Sequence, residues 1–174
     1  MNYFEFYDIP VSFKIDKSVL KKKYLMKSKK FHPDFYTNES ASKQEEIMQL
    51  STLNNQSYLT LKDFDARMKY ILELNGILSK NDKSALPQSF LMEMMDLNEA
   101  LFDLEMDFDD KKLNQAKNDL EDFEKSLESE ISSLLETIEN KGLNDDILEK
   151  IKNYYLKRRY LLRIKKNLNK FVSL

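Results

Sequence analysis

Apolar residues recur at helical spacing along most of the chain, interrupted by short polar or proline-bearing intervals. Residues 2–9 (NYFEFYDI) predict a short aromatic-rich helix, with Asn2 as its N-cap and Pro10 as its stop. Asp16 is placed to cap a second helix, KSVLKKKYLMKSKKF, whose Leu20, Tyr24 and Phe31 share one stripe. Pro33 has no N–H and pushes its predecessor out of the α region, so this helix must stop near Phe31. A loop of turn formers, FYTNESAS, follows, and Ser42-x-x-Glu45 reads as a capping box. The third helix, residues 43–62, is expected to bury Ile47, Leu50, Tyr58 and Leu61, with an eight-residue gap across the polar Asn54–Asn55 centre. Asp63 or Asp65 opens a short fourth helix, ARMKYILEL, which ends at Asn75-Gly76.

Residues 76–86 break this composition and predict a linker between residues 1–75 and 87–174. Beyond it, Ser84 is a candidate cap for a helix with Pro87 near its first turn, running to about Glu105. Asp109 or Asp110 starts a long pattern through Leu113, Leu120, Phe123, Leu127, Ile131, Leu134 and Ile138, closed by Asn140-Lys141-Gly142. Asn144 starts the last helix, to about Phe171, with Ile147, Ile151, Tyr154, Leu161, Ile164, Leu168 and Phe171 as its apolar positions. Short connections between three amphipathic helices predict an antiparallel three-helix bundle. The fold class is therefore all-α, in two domains.

Composition agrees, since two glycines and three prolines in 174 residues leave little material for sheets with tight turns. No apolar run reaches 18 residues, so no transmembrane helix is expected, and no signal peptide is visible. The absence of cysteine excludes disulfides and thiol chemistry, and a single histidine excludes a multi-histidine metal site. The net charge of −2 hides strong local asymmetry. Lys14 to Lys30 holds eight lysines and one aspartate, whereas Phe90 to Glu139 holds 16 acidic and 4 basic residues. From Lys150 onward there are nine basic residues and no acid. Such patches steer protein partners. A nucleic-acid role is not expected, because the chain is acidic overall and carries no recognisable nucleic-acid motif.

The only histidine lies in His32-Pro33-Asp34, directly after the lysine-rich helix. The proline turn should expose an imidazole and a carboxylate held close together. A histidine titrating near about pH 6.5 can serve acid–base catalysis, but that needs a pocket and positioned partners. A loop tripeptide supplies neither, and no Ser-His-Asp or Cys-His arrangement is legible, so no catalytic residue, metal or cofactor is expected. The order of short helix, basic helix, HPD loop, long helix and short helix resembles the J-domain of DnaJ-type co-chaperones. Leu53 to Leu61 (LNNQSYLTL), Arg67 and Tyr70 resemble its third and fourth helices. The opening NYFEFYDIP, the FHPDF segment and SFLMEMMDL at 89–97 are more specifically similar to the HscB family, the J-proteins of iron–sulfur cluster assembly.

This resemblance implies a non-enzymatic co-chaperone with two protein partners. An HscA/DnaK-class ATPase chaperone would meet His32, Pro33 and Asp34 together with Lys21, Lys22, Lys29 and Lys30, the lysines that avoid the apolar stripe. An IscU-type iron–sulfur scaffold would meet Leu91, Met92, Met95, Asp96, Glu99 and Asp103, whose spacings of one, three and four share a helical surface. An aromatic residue on the last helix joins that surface in the family; Tyr160 is the preferred match and Tyr155 the alternative. A J-domain protein recruiting its chaperone to a different client is the second reading. A monomer is expected, in the bacterial cytoplasm rather than the mitochondrial matrix because the chain starts directly before the J-domain. Two positions depart from the J-domain pattern: Lys27 stands where the second helix normally has an apolar residue, and Phe64 replaces a proline before the fourth. Leu25 and Met26 lie off the stripe and are expected to touch another element or the partner.

Overall fold

The computed structural model describes residues 1–79 and 86–171, and every regular element among them is helical. The chain divides into two units, Met1–Asn75 and Gly76–Leu174. No helix among the described residues is long and apolar enough to cross a membrane.

In the first unit, α1 (Tyr3–Phe6) begins at the expected cap. Asn2 accepts from the Phe4 and Glu5 amides, and the Glu5 carboxylate accepts from the Asn2 amide. The helix is shorter than its apolar pattern suggests, and Pro10 is not what ends it. Asp8 turns left-handed at φ 50°, while the Ile9 and Asp8 amides donate to the Phe4 and Glu5 carbonyls at 3.1 and 3.0 Å. This Schellman-type closure completes the helix before the proline is reached. Helix α2 (Lys17–Lys30) starts at Asp16, which accepts from Ser18 and Val19. Helix α3 (Ala41–Lys62) starts earlier than expected, because Ser40 rather than Ser42 caps it, accepting from the Lys43 amide at 3.3 Å. Asp63 caps α4 (Phe64–Leu74) through the Ala66 amide at 2.8 Å.

Ile47 and Leu61 of α3 are buried as their spacing predicts, whereas Leu50 and Tyr58 are only half-buried. Polar side chains fill the gap between them. Asn54 is 1% exposed, and both its oxygens lie 2.8 Å from the Tyr7 hydroxyl. Its amide nitrogen donates to Ser28 Oγ at 2.9 Å and to the Tyr24 carbonyl at 3.3 Å. One asparagine thus joins α3 to α2 and to the residue that caps α1. Burial drives the Tyr7 phenol well above its usual pKa. Arg67 is the second polar tie: its guanidinium, 5% exposed, donates to the Phe13 carbonyl at 2.9 and 3.1 Å and to the Leu61 carbonyl. Loss of water lowers its pKa, an effect opposed by Asp63. Lys27 keeps its place in the α2 stripe by resting its ammonium 4.3 Å from the Phe6 ring centre. Phe64 opens α4 with its ring 5.5 Å from the Arg67 guanidinium.

In the second unit, the single helix expected up to Glu105 is divided into α5 (Gln88–Glu93) and α6 (Met95–Met106). The break falls at Met94, whose carbonyl accepts from both the backbone and the side-chain amide of Asn98. A side chain competing for an i−4 carbonyl is a recognised cause of helix breaks. Pro87 stands at the N-cap of α5, and the expected cap Ser84 lies outside the described residues. Helix α7 (Asp110–Lys141) is capped by Asp109 and closed by Gly142, whose φ of 77° suits a residue without Cβ. Helix α8 (Asp145–Lys170) is capped by Asn144. Leu113, Leu120, Leu127 and Ile131 of α7 and Ile147, Ile151, Leu161 and Leu168 of α8 are buried, as the heptad-like pattern requires. Lys157–Glu130 at 3.0 Å and Lys165–Glu124 at 2.8 Å bridge the two helices outside that core.

Candidate interaction surfaces

His32 has extended backbone (φ −74°, ψ 121°), and Pro33–Tyr36 form one 3-10 turn after it. The pre-proline constraint thus ends α2 and starts a tighter turn where a polar loop was expected. His32 Nδ1 accepts from the Asp34 amide at 3.3 Å, which leaves the other ring nitrogen of the neutral imidazole to carry the proton. The Asp34 carboxylate lies 3.7 Å from Nδ1, with 82% of its side chain exposed. The turn therefore offers one outward donor and one outward acceptor a few ångströms apart. The Tyr36 hydroxyl donates to the Lys30 carbonyl at 2.8 Å and ties the turn to the end of α2. Phe35 is 68% exposed, with its ring 5.6 Å from the imidazole. Sequence reasoning assigned Phe35 no role, although an exposed aromatic next to the tripeptide was visible in the chain.

Lys21, Lys22, Lys29 and Lys30 are all exposed on α2. Leu25 and Met26 are exposed between them, so this face combines apolar and cationic groups. Lys23 and Lys27 are set apart from these four, of which Lys30 holds its ammonium 5.5 Å from the Phe31 ring centre. Lys23 is 3.0 Å from the Asp8 carbonyl oxygen and Lys27 is held over Phe6.

On the bundle, Leu91, Met92, Met95, Asp96 and Glu99 are exposed across the α5–α6 junction. Asp103 is half-buried, and its carboxylate takes a 2.9 Å bond from Lys112. The methionines divide as helical geometry requires: Met94 is fully buried, while Met92 and Met95 are 63% and 65% exposed. Tyr160 of α8 lies beside this surface. Its ring meets Phe90 edge-on at 5.7 Å, its hydroxyl oxygen accepts from the Asn98 amide at 2.7 Å, and Arg163 covers its face at 5.3 Å. Tyr155 is buried, so of the two candidate aromatics only Tyr160 reaches the α5–α6 junction through bonds of this kind. Asn98 was not singled out in the sequence; nothing in its spacing announces that it orients Tyr160.

A sequence profile described as the HSCB C-terminal oligomerisation domain matches residues 86–169. The co-chaperone protein HscB of Buchnera aphidicola subsp. Acyrthosiphon pisum (strain Tuc7) is 33% identical over 172 residues, covering 91% of this chain and 99% of that protein. The chain belongs to the HscB co-chaperone family. A further HscB homolog, from Vibrio cholerae serotype O1 (strain M66-2), is 38% identical over 102 residues, covering 58% of this chain and 60% of that protein. The crystal structure of human co-chaperone protein HscB superposes with a TM-score of 0.76 at 25% identity, covering 100% of this chain and 84% of that one. Chaperone HscB from Vibrio cholerae gives a TM-score of 0.78 at 24% identity, covering 99% and 98% of the two chains, a likeness of fold. The HscB arrangement of an N-terminal J-domain and a C-terminal helical domain is the fold described above.

Proposed function

We propose that this chain stimulates ATP hydrolysis by an HscA/DnaK-class chaperone and delivers an IscU-type scaffold to it during iron–sulfur protein maturation. The observation that carries the reading is the HPD turn, braced from inside by Tyr36 and by the hydrogen bond from the Asp34 N–H to His32 Nδ1, with the Asp34 carboxylate facing water. Such a turn has no substrate to transform. It favours one conformation of a partner by differential binding, and the chemistry belongs to that partner. Lys21, Lys22, Lys29 and Lys30 provide the electrostatic approach to an acidic chaperone surface. Leu91, Met92, Met95, Asp96, Glu99, Asp103 and Tyr160 provide the scaffold surface, apolar at its centre and acidic at its margin. Holding chaperone and scaffold on one chain raises their effective concentration without a new contact between them. The chain acts as a monomer in the bacterial cytoplasm on this reading.

Single-turnover ATP hydrolysis by the chaperone tests it, using the native chain and His32→Gln, each with and without scaffold. The expected result is stimulation by the native chain, enhanced by scaffold and lost in His32→Gln. Stimulation indifferent to scaffold would assign the chaperone a different client. Absence of stimulation under every condition would reduce the HPD tripeptide to a surface turn.

A further inference from the structure

Helix α6 carries two apolar stripes on opposite sides, and the bundle uses only one. Leu97, Leu101 and Leu104 are 2%, 8% and 2% exposed and form its buried face. Met95, Phe102 and Met106 are 65%, 63% and 75% exposed. At about 100° per residue, their spacings of seven and four align them along one crest, roughly opposite Leu97 and Leu104. A surface helix of a bundle places polar residues on that side. Here three of the four turns along this line present methionine, phenylalanine and methionine to water, with Glu99 in the turn between Met95 and Phe102. Phenylalanine is also a poorer helix former than lysine, glutamate or glutamine, so helix stability does not explain its presence there. Exposed apolar side chains clustered in this way, Phe102 beside Met106 and Met95 beside Leu91 and Met92, mark a protein–protein contact.

The crest starts within one helical turn of Leu91 and Met92, so it continues the scaffold surface described above. Asp96 and Glu105 flank it with exposed carboxylates, while Asp103 on the same margin is bonded to Lys112. This margin selects a partner whose apolar patch is edged by lysine or arginine. It disfavours a symmetric α6–α6 contact between two copies, which would set the same acidic margin against itself. We propose that Phe102 and Met106 are specificity-determining contacts for the IscU-type scaffold, whose footprint runs along α6 for about 16 Å, from Met95 to Met106. The proposal rests on the scaffold-delivery reading and extends it to two residues outside the expected motif. The scaffold must present an elongated apolar patch with basic edges to cover this crest.

Calorimetric titration of the full chain with the scaffold tests it, comparing the native protein with Met92→Ala, Phe102→Ala, Phe102→Leu and Met106→Ala. Phe102→Ala is expected to weaken binding about tenfold and Met106→Ala about threefold, with Phe102→Leu recovering most of the loss. Both side chains are largely exposed, so helical circular dichroism and the melting temperature should stay at native values and exclude misfolding as the cause. If Met92→Ala loses binding while Phe102→Ala and Met106→Ala bind like the native chain, the extended footprint is wrong and scaffold delivery stands. If the native chain or Met92→Ala shows that this face takes no part in scaffold binding, the delivery reading falls and the extension with it. Light scattering covers the remaining occupant. A native dimer converted to monomer by Phe102→Ala, with scaffold binding unchanged, would assign the crest to a second copy and overturn the proposal.

Discussion

The J-domain is held across its helices by buried polar groups, the bundle by apolar stripes with ion pairs outside them. Asn54 and Arg67 together link α2, α3 and α4 to one another and to the segment after α1. Among the described residues of the bundle, the buried side chains are aliphatic, Phe, Met or Tyr, with no buried Asn, Ser or Arg. The difference follows from size and task. A unit of about 75 residues with helices of 4 to 22 residues has little apolar surface to bury, and directional bonds select one arrangement among several similar ones. On the proposed reading, a tripeptide that acts by its geometry needs that single arrangement. Helices of 32 and 26 residues repeat their stripes often enough to align without such bonds.

Arg67→Ala should produce the largest change. It leaves the Phe13 and Leu61 carbonyls unpaired, and we expect a loss of about 3 kcal/mol in urea unfolding of the full chain. A loss below about 1 kcal/mol would mean that water replaces the guanidinium and that the comparison is wrong at this site. Asn54→Leu is expected to cost about 2 kcal/mol, and in a double-mutant cycle with Tyr7→Phe the two losses should not add. Additive losses would deny that they form one network.

Lys27→Leu should move stability the other way, by about 0.5 kcal/mol, since it replaces a partly dehydrated ammonium with an apolar side chain over Phe6. Dehydration, with Lys30 and Lys23 nearby, lowers the Lys27 pKa below its ordinary 10.5. Between that lowered value and 10.5 the unfolded chain holds more protons, so native stability should rise with pH across this window. The rise should be absent in Lys27→Leu, which alkaline melting curves would reveal. Glu124→Gln should have the smallest effect, about 0.5 kcal/mol or less, because the pair with Lys165 is solvent-accessible. A salt-insensitive loss well above this would give the bundle a polar tie like those of the J-domain.

The caps at Asn2, Asp16 and Asn144 were legible in the chain, and that of α7 to within Asp109 or Asp110, because each depends on a local side chain and the amides two or three residues later. The ends of α1 and the start of α3 were not. Asp8 in a left-handed conformation outcompetes Pro10, and Ser40 stands in the better register than Ser42. The HPD turn, the lysine face and the α5–α6 positions were also readable, since periodicity says which residues share a side of a helix. The role of Asn98 was hidden, as it depends on Tyr160, 62 residues away. The exposed crest of α6 was hidden for a related reason. Met95 was expected at the surface, but Phe102 and Met106 had no assigned side until Leu97, Leu101 and Leu104 were seen to occupy the inside.

By itself the sequence determined the helical class, most helix limits, the position of the tripeptide and the charge asymmetry, because each arises from neighbours within one or two turns. Tertiary structure alone decided which polar residues are buried, that Asn54 and Arg67 lock the J-domain, that Tyr160 reaches the α5–α6 junction, and which of two apolar faces of α6 remains open. These outcomes depend on pairs distant in the chain, whose contact is set by packing and not by local propensity.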